Sequence, residues 1–346
     1  MPAAGRCGVL AGSGSAAGAS ALTLALDIGG TKTAAGLVAP DGGVLLYETI
    51  QTRANGPADA LFADIVALAD RVLASGSVRA AALAGIGVGC GGPMQYPEGR
   101  VSTLNIPAWR DFPLRTRLQE QYGCPVVVDN DAKALAVAEY WIGAGRGARC
   151  LLGMVVSTGV GGGIIEAGRL LHGASGNAGH IGHVVAYRDG PPCTCGSRGC
   201  VEAVASGTGL ARRALAAKQQ GLLPDLPAAP TGKDLVAAAR AGEPTAAQFL
   251  EEAGIAVGRG IAAVGALADV DRVVIGGGLA LGAGDLLLTP LRQALAEDAR
   301  LSFTRGLEER VILSDLGVAG ALAGAAGLIH TLPREQDAAG LLDGFA

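Results

Sequence analysis

The sequence lacks several features that mark large classes of protein. Only 3% of its 346 residues are aromatic, and only four of its 27 basic residues are lysine. The 27 basic residues face 31 acidic ones and form no run of five, so nothing indicates a nucleic-acid-binding surface. The apolar stretch at 316–329 is 14 residues long, which is less than the roughly 20 that span a bilayer. Residues 1–20 have one arginine and no sustained apolar core, so we expect a disordered tail and no signal peptide.

Glycine, in contrast, is abundant. The chain has 56 glycines in 346 residues, more than twice the usual share of roughly 7%. Collagen is excluded because the glycines have no three-residue period and there are only 16 prolines. Disorder throughout is excluded because 50% of the residues are hydrophobic and the net charge is −4. A globular protein of two domains, or one large one, is therefore expected, with glycines in turns and ligand loops.

The hydrophobic pattern predicts the same plan twice, which we interpret as a weak internal repeat. In the first half it predicts strands at 22–27, 34–39, 44–52, 83–90 and 126–128, and helices at 59–75, 114–122 and 132–141. In the second half it predicts strands at 150–157, 163–166, 169–171, 270–275 and 310–313, further helical segments, and a last helix at 319–330. Each half begins with a strand, a glycine-rich turn containing threonine, and two more strands, as expected for a mixed α/β protein.

Three glycine-rich segments each follow a predicted strand. They are Asp27–Thr33 (DIGGTKT), Ser157–Gly163 (STGVGGG) and Val273–Leu279 (VVIGGGL). Glycine lets a backbone approach a ligand closely, so the first two fit a phosphate chain and the third fits an adenine or ribose. Asp27, at a strand end, is suited to hold Mg²⁺ through water. The alternatives are a hairpin with a capping aspartate, a glycine-rich β-turn and a strand-to-helix turn; the GxxxxGK[ST] phosphate loop is absent.

Carboxylates also follow the strand predicted at 126–128, in the sequence Asp129-Asn130-Asp131. Ligands bind at the carboxyl ends of parallel strands in open α/β sheets, and phosphoryl transfer needs a carboxylate to accept the proton of the attacking hydroxyl. Either Asp131 or Asp129 fits that role. The alternative is that these residues only cap the helix predicted at 132–141.

Three of the seven cysteines are clustered, and a histidine precedes them. His183, Cys193, Cys195 and Cys200 make a complete tetrahedral zinc set, which leaves no open position for water. The sequence therefore predicts a structural zinc site, with three free thiols as the alternative. His180 and Glu202 flank this segment, and they are either ligand-binding residues or an ordinary surface imidazole and helix carboxylate.

Taken in order, these motifs resemble those of the ROK family of sugar kinases, repressors and open reading frames, over roughly residues 22–330. The resemblance rests on the following segments: Asp27–Thr33 (DxGGTK), Asn105–Trp109 (NxxxW), Asn130–Ala132 (NDA), Ser157–Gly163, the His183 and cysteine signature, and Gly276–Gly278. It implies an α/β fold, the two-lobed actin-like (ribonuclease H-like) ATPase fold with a zinc-knotted loop. The implied lobes are 21–131 and 132–316, with a last helix at about 317–332 packed back on the first lobe.

The resemblance also implies roles for individual residues. Asp131 becomes the general base on the 6-hydroxyl of a hexose. The implied sugar-binding residues are Gly92, Asn105, Asn130, Asp131, His180, His183 and Glu202. The implied ATP-binding residues are Asp27, Gly29, Gly30, Thr31, Lys32, Thr33, Thr158, Gly159, Gly276, Gly277 and Gly278. The implied ligands of structural Zn²⁺ are His183, Cys193, Cys195 and Cys200.

The implied activity is an ATP- and Mg²⁺-dependent hexose 6-kinase, with glucose as first choice, in a cytoplasmic homodimer without nucleic-acid or membrane partners. His180 stands where the family has the glutamate of ExGH, which opens two alternatives: an N-acylmannosamine or amino-hexose (kanosamine-type) kinase, or a non-catalytic sugar sensor. A repressor is not expected, because only 26 residues precede Asp27. Lys133 replaces the usual asparagine after NDA, and the sequence leaves open whether it faces away or tunes the local charge.

Overall fold

A computed structural model describes residues 21–317 and 319–330 of the chain. The described residues form two compact units: one comprises 21–146, 165–178 and 316–330, and the other 147–164 and 179–315. The expected tail at 1–20 and the end of the last predicted helix, beyond 330, lie outside the described residues. The division into lobes at residue 131 stays a prediction.

The first unit is built on a five-stranded sheet of order β3-β2-β1-β4-β8. Its strands are β1 (Thr23–Ile28), β2 (Lys32–Val38), β3 (Val44–Gln51), β4 (Gly85–Cys90) and β8 (Val126–Asn130). Strands β1, β2 and β3 are antiparallel neighbours, whereas β1, β4 and β8 run parallel. The carboxyl ends of β1, β4 and β8 therefore meet at one edge of the sheet. A small antiparallel sheet, which the sequence pattern did not predict, joins β5 (Met94–Gln95), β6 (Arg100–Val101) and β7 (Phe112–Pro113).

Four helices complete the first unit. They are α1 (Ala58–Ser75), α2 (Leu114–Tyr122), α3 (Asp131–Trp141) and α10 (Ala319–His330). Helix α1 buries the helically spaced residues that its periodicity indicates, Leu61, Ile65, Leu68 and Val72. Helix α10 packs so closely on β4 that a Cβ atom at Gly87 would overlap the Ala325 carbonyl, so this strand position requires glycine.

A second sheet, centred on a strand of the second unit, has the equivalent order β11-β10-β9-β12-β13. Its strands are β9 (Cys150–Val156), β10 (Val160–Glu166), β11 (Arg169–Leu170), β12 (Arg272–Gly276) and β13 (Val311–Leu313). As in the first sheet, the first strand of the sequence is central and runs parallel to the last two, here β12 and β13. The predicted internal repeat is therefore confirmed by the topology.

The second unit is mainly helical outside its sheet. Its helices are α4 (Val201–Ala205), α5 (Gly207–Gln219), α6 (Gly232–Arg240), α7 (Pro244–Ala268), α8 (Gly278–Ala283) and α9 (Asp285–Asp298). Two 3-10 turns of this unit span Ile181–His183 and Leu307–Arg310, and a third, Ala80–Ala82, belongs to the first unit. Across residues 21–317 and 319–330, no helix combines the length and apolar character needed to cross a membrane.

Candidate active site and metal centre

Two carboxylates lie at the carboxyl edge of the first sheet. Asp27 is the penultimate residue of β1, and Asp131 is the first residue of α3, directly after β8. Gly89 of β4 lies between them: a Cβ atom there would be 3.6 Å from Asp131 Cα and 3.9 Å from Asp27 Oδ1. Asp131 is exposed and Asp27 is half-buried. The parallel strands thus bring together two residues that are about a hundred positions apart in the sequence.

The surroundings of Asp27 favour its protonated form. Burial raises the pKa of Asp27 from 3.8 to about 7, the negative charge of Asp131 adds to the rise, and Lys32 opposes it. Cys90, fully buried at the end of β4, has a pKa raised by burial and then by Asp131 and Asp27. A divalent cation would offset the repulsion between the two carboxylates, so the residues present fit the Mg²⁺ implied for this edge.

The predicted first phosphate loop forms the turn between β1 and β2. Gly29 N donates to Lys32 O at 3.0 Å and closes the turn. A Cβ atom on Gly30 would lie 2.6 Å from Asn105 Cβ, so the absence of a side chain allows Asn105 to lie against the loop. Thr31 and Lys32 are exposed, as a ligand loop requires.

Thr33 differs from the other predicted loop residues. Its side chain is fully buried, and its hydroxyl lies 2.8 Å from Thr52 Oγ1. Thr52 N in turn donates to Thr31 O at 3.0 Å. In this structure Thr33 therefore supports the loop from inside the unit.

The NxxxW segment divides into an exposed and a buried end. Asn105 is exposed, whereas Trp109 is fully buried, donates from Nε1 to Ala58 O at 3.3 Å and stacks on Phe112 with ring centres 4.6 Å apart. Trp109 thus anchors the segment. The carbonyl of Gly92 accepts from Leu104 N at 3.2 Å, which holds Gly92 beside the same segment.

Of the two candidate bases, Asp129 is fully buried and therefore cannot face a bound substrate. Its Oδ2 lies 3.1 Å from His172 Nδ1, and its Oδ1 lies 3.5 Å from Lys133 Nζ. Lys133, itself 1% exposed, donates from Nζ to Gly176 O at 2.7 Å. Lys133 therefore faces inward, which answers the question that the sequence left open.

Asn130 lies between the buried and the exposed aspartate. Its side-chain Oδ1 accepts from Ala132 N at 3.0 Å and caps α3. The capping alternative thus describes Asn130 in this structure; Asp131 Oδ1 also accepts from Ala132 N, at 2.8 Å, but Asp131 remains exposed at the helix start.

In the second unit the predicted phosphate and adenosine motifs lie side by side. Thr158 and Gly159 form the turn between β9 and β10, in which Ser157 N donates to Gly159 O at 2.9 Å. Gly277, between Gly276 of β12 and Gly278 of α8, has φ +100°, and a Cβ atom on it would lie 2.5 Å from Val156 O. Only glycine fits this position, which brings the triple-glycine turn against the strand that leads into the loop.

The predicted zinc ligands converge in the same unit. His183 Nδ1 lies 3.7 Å from Cys193 Sγ, the Sγ atoms of Cys195 and Cys200 are 3.8 Å apart, and all four ligand atoms lie within 4.8 Å of one another. Tetrahedral ligands at a zinc–sulfur distance of about 2.3 Å are about 3.8 Å apart, so the four residues fit one Zn²⁺ ion.

His180 and Glu202 lie on either side of this cluster in the sequence. His180 is exposed, and its ring centre is 6.1 Å from that of His183. Glu202, on α4, accepts from Val160 N at 3.0 Å through Oε2. No motif in the sequence predicts this contact with the segment expected to be the second phosphate loop.

Comparisons with known proteins agree with this assembly of motifs. The model of the ROK family matches residues 23–332. A glucokinase from Halalkalibacterium halodurans is 36% identical over 305 residues, which cover 85% of this chain and 92% of that protein. An N-acetylmannosamine kinase from Citrobacter koseri is 38% identical over 279 residues, covering 80% of this chain and 89% of its own.

A solved structure extends the likeness to three dimensions. A ROK family glucokinase from Streptomyces griseus, in complex with glucose and AMPPNP, is 33% identical with a TM-score of 0.74, and the match covers 89% of this chain and 98% of that one. The expected actin-like α/β fold with a zinc-type loop is thereby confirmed, and these relatives are named as sugar kinases, one of them solved with AMPPNP bound. The chain belongs to the ROK family.

Proposed function

We propose that the protein transfers the γ-phosphate of ATP to the 6-hydroxyl of a hexose, with glucose as the preferred sugar and Asp131 as general base. The observation that carries this proposal is the pair of carboxylates flanking Gly89, of which Asp131 is the exposed member. The complex of the Streptomyces griseus relative with glucose and AMPPNP supports the choice of substrates.

The oxygen of the sugar 6-hydroxyl bonds to the γ-phosphorus while Asp131 accepts the proton of that hydroxyl. The bond between the γ-phosphorus and the oxygen that bridges it to the β-phosphate breaks, and ADP is released. Phosphoryl transfer depends mainly on positioning and charge stabilisation. The partly exposed turns Gly29–Lys32 and Thr158–Gly159 are suited to hold phosphate oxygens through backbone N–H groups. Mg²⁺ would be held by Asp27 and would neutralise phosphate charge. Zn²⁺ on its four ligands would have a structural role.

The test is an assay of ADP release with ATP, Mg²⁺ and glucose. Asp131→Ala should lower kcat by about 10²–10⁴-fold, the usual contribution of a general base. Glu120→Ala, which removes an exposed carboxylate of α2, is the matched control and should retain full activity. Near-full turnover by Asp131→Ala would reject the assignment of the base.

The second candidate substrate is an N-acylmannosamine or an amino-hexose of the kanosamine type. The Citrobacter koseri relative, an N-acetylmannosamine kinase, supports this alternative, as does His180 in place of a glutamate. ADP release should be compared across glucose, mannose, N-acetylmannosamine, N-acetylglucosamine, fructose and amino-hexoses. His180→Glu should change the order in which the sugars are preferred and leave the KM for ATP unaltered. An unchanged order would show that His180 does not determine sugar specificity.

A non-catalytic sugar sensor is the remaining alternative, which calorimetry would support if sugars bound without any ADP release. The intact pair Asp27 and Asp131 favours the enzyme. We also propose that the protein is a cytoplasmic homodimer that binds neither nucleic acid nor membranes.

A further inference from the structure

Glu202 contacts the second phosphate loop directly. Its Oε2 accepts a hydrogen bond from Val160 N at 3.0 Å, at the point where the loop enters β10. The same oxygen lies 2.9 Å from the position that a Cβ atom on Gly159 would take. The carboxylate therefore occupies the space behind Gly159 and fixes the exit of the turn.

The α4–α5 junction binds the other side of the same loop. Gly207 N donates to Ser157 O at 2.7 Å, and Thr208 donates to Thr158 O from both N, at 3.2 Å, and Oγ1, at 2.9 Å. In a trans peptide the C=O and the following N–H point in opposite directions. The N–H groups of Thr158 and Gly159 are therefore directed away from the junction, which is the orientation that a phosphate-binding loop needs.

We propose that Glu202 is a positioning residue for nucleotide binding as well as a sugar contact. This inference rests on the proposed function and on the sugar-binding role that the family resemblance implies for Glu202. One carboxylate oxygen is committed to Val160 N, so the side chain links recognition of the sugar to the shape of the loop that holds ATP. Because α4 begins immediately after Cys200, Glu202 also connects the metal loop to the phosphate loop.

Two substitutions of Glu202 separate these roles. Glu202→Gln keeps an oxygen that accepts from Val160 N but loses the charge that holds a sugar hydroxyl. Glu202→Ala loses both functions. A residue that only bound sugar would leave nucleotide affinity the same in both variants.

The experiment is calorimetric titration of each full-length protein with AMPPNP and Mg²⁺ in the absence of sugar. Glu202→Ala should bind AMPPNP about 10–100-fold more weakly than wild type, the loss expected for a hydrogen bond to a charged group. Glu202→Gln should bind only about 3–10-fold more weakly than wild type, since a neutral hydrogen bond of about half the strength replaces the charged one. Glu251→Ala, an exposed carboxylate on α7, is the matched control and should bind normally.

Kinetics with sugar give a second measure. The KM for ATP should rise more in Glu202→Ala than in Glu202→Gln, whereas the KM for sugar should rise in both variants. If Glu202→Ala does not fold, Glu202→Asp replaces it, because its shorter side chain cannot reach Val160 N. Zinc content and thermal unfolding confirm that each variant is native.

If Glu202→Ala binds AMPPNP as tightly as the wild-type protein does, the inference is overturned and the kinase proposal stays intact. Failure of the wild-type protein itself to bind AMPPNP would instead reject the proposed function. The two failures are therefore distinguishable in one set of titrations.

Discussion

Lys133→Met should destabilise the protein strongly, because it removes one partner of a buried ion pair. Lys133 and Asp129 are 1% and 0% exposed, and Lys133 Nζ also donates to Gly176 O at 2.7 Å. Breaking a buried pair from one side costs about 3–5 kcal/mol, and here it would leave the Asp129 carboxylate with His172 Nδ1, 3.1 Å away, as its nearest remaining partner. The loss is a large fraction of the roughly 5–15 kcal/mol by which domains are stable.

The assay is denaturant unfolding at pH 7, analysed for the free energy of unfolding of the first unit. Lys233→Met, which removes an exposed lysine of α6, is the matched control and should change that free energy by less than about 0.5 kcal/mol. The double variant Asp129→Asn/Lys133→Met should recover much of the loss, since no unpaired charge remains. A change below about 1 kcal/mol in Lys133→Met would refute the reasoning, because it would mean that the pair contributes no more than a surface contact.

Three further predictions concern the carboxylate edge, the metal centre and the last helix. The pKa of Asp27 is raised from 3.8 to about 7, so its contribution to stability is full below pH 4 and is lost as the pH rises through 7. In Mg²⁺-free buffer the free energy of unfolding of Asp27→Asn should therefore fall less with rising pH than that of the wild type, so the variant should be the more stable protein at pH 8. Identical dependence of the free energy of unfolding on pH in the two proteins would contradict this. Cys200→Ser should reduce bound zinc from about one ion per chain to near zero, measured by metal analysis; full occupancy would exclude Cys200 as a ligand. Gly87→Ala should destabilise by at least about 1–3 kcal/mol through overlap with the Ala325 carbonyl, whereas Gly282→Ala, which meets open space, should not; equal melting temperatures would reject the close packing of α10.

Much of the fold could be predicted because strands and helices bury their residues with different periods. Leu61, Ile65, Leu68 and Val72 define the buried face of α1 without reference to any other part of the chain. The strands β5, β6 and β7 could not be predicted in this way, because each has only two residues and no period can be read from two positions.

The candidate site was predictable where a motif is local. The zinc ligands lie within eighteen positions, and the structure brings all four together. Polar partners that are distant in sequence were missed: Lys133 meets Gly176, 43 positions away, and Glu202 meets Val160, 42 positions away. Hydrophobic periodicity reports which face of an element is buried, but it carries no information about the partner of a buried polar atom. Thr33 shows the same limit, since its place in the motif does not reveal its hydrogen bond to Thr52.

The discontinuity of the first unit has a consequence for the order in which the chain can fold during synthesis. Leu322, Ala325 and Ala326 of α10 cover one face of its sheet by packing on Ala25, Ala34, Val38 and Val44, and Thr23 Oγ1 lies 2.7 Å from His330 Nε2. The first strands leave the ribosome early, yet their apolar face stays uncovered until about three hundred further residues have been made. The second unit, which ends at 315, is complete before that face is covered. The half of the protein that is translated first is therefore the half that finishes folding last.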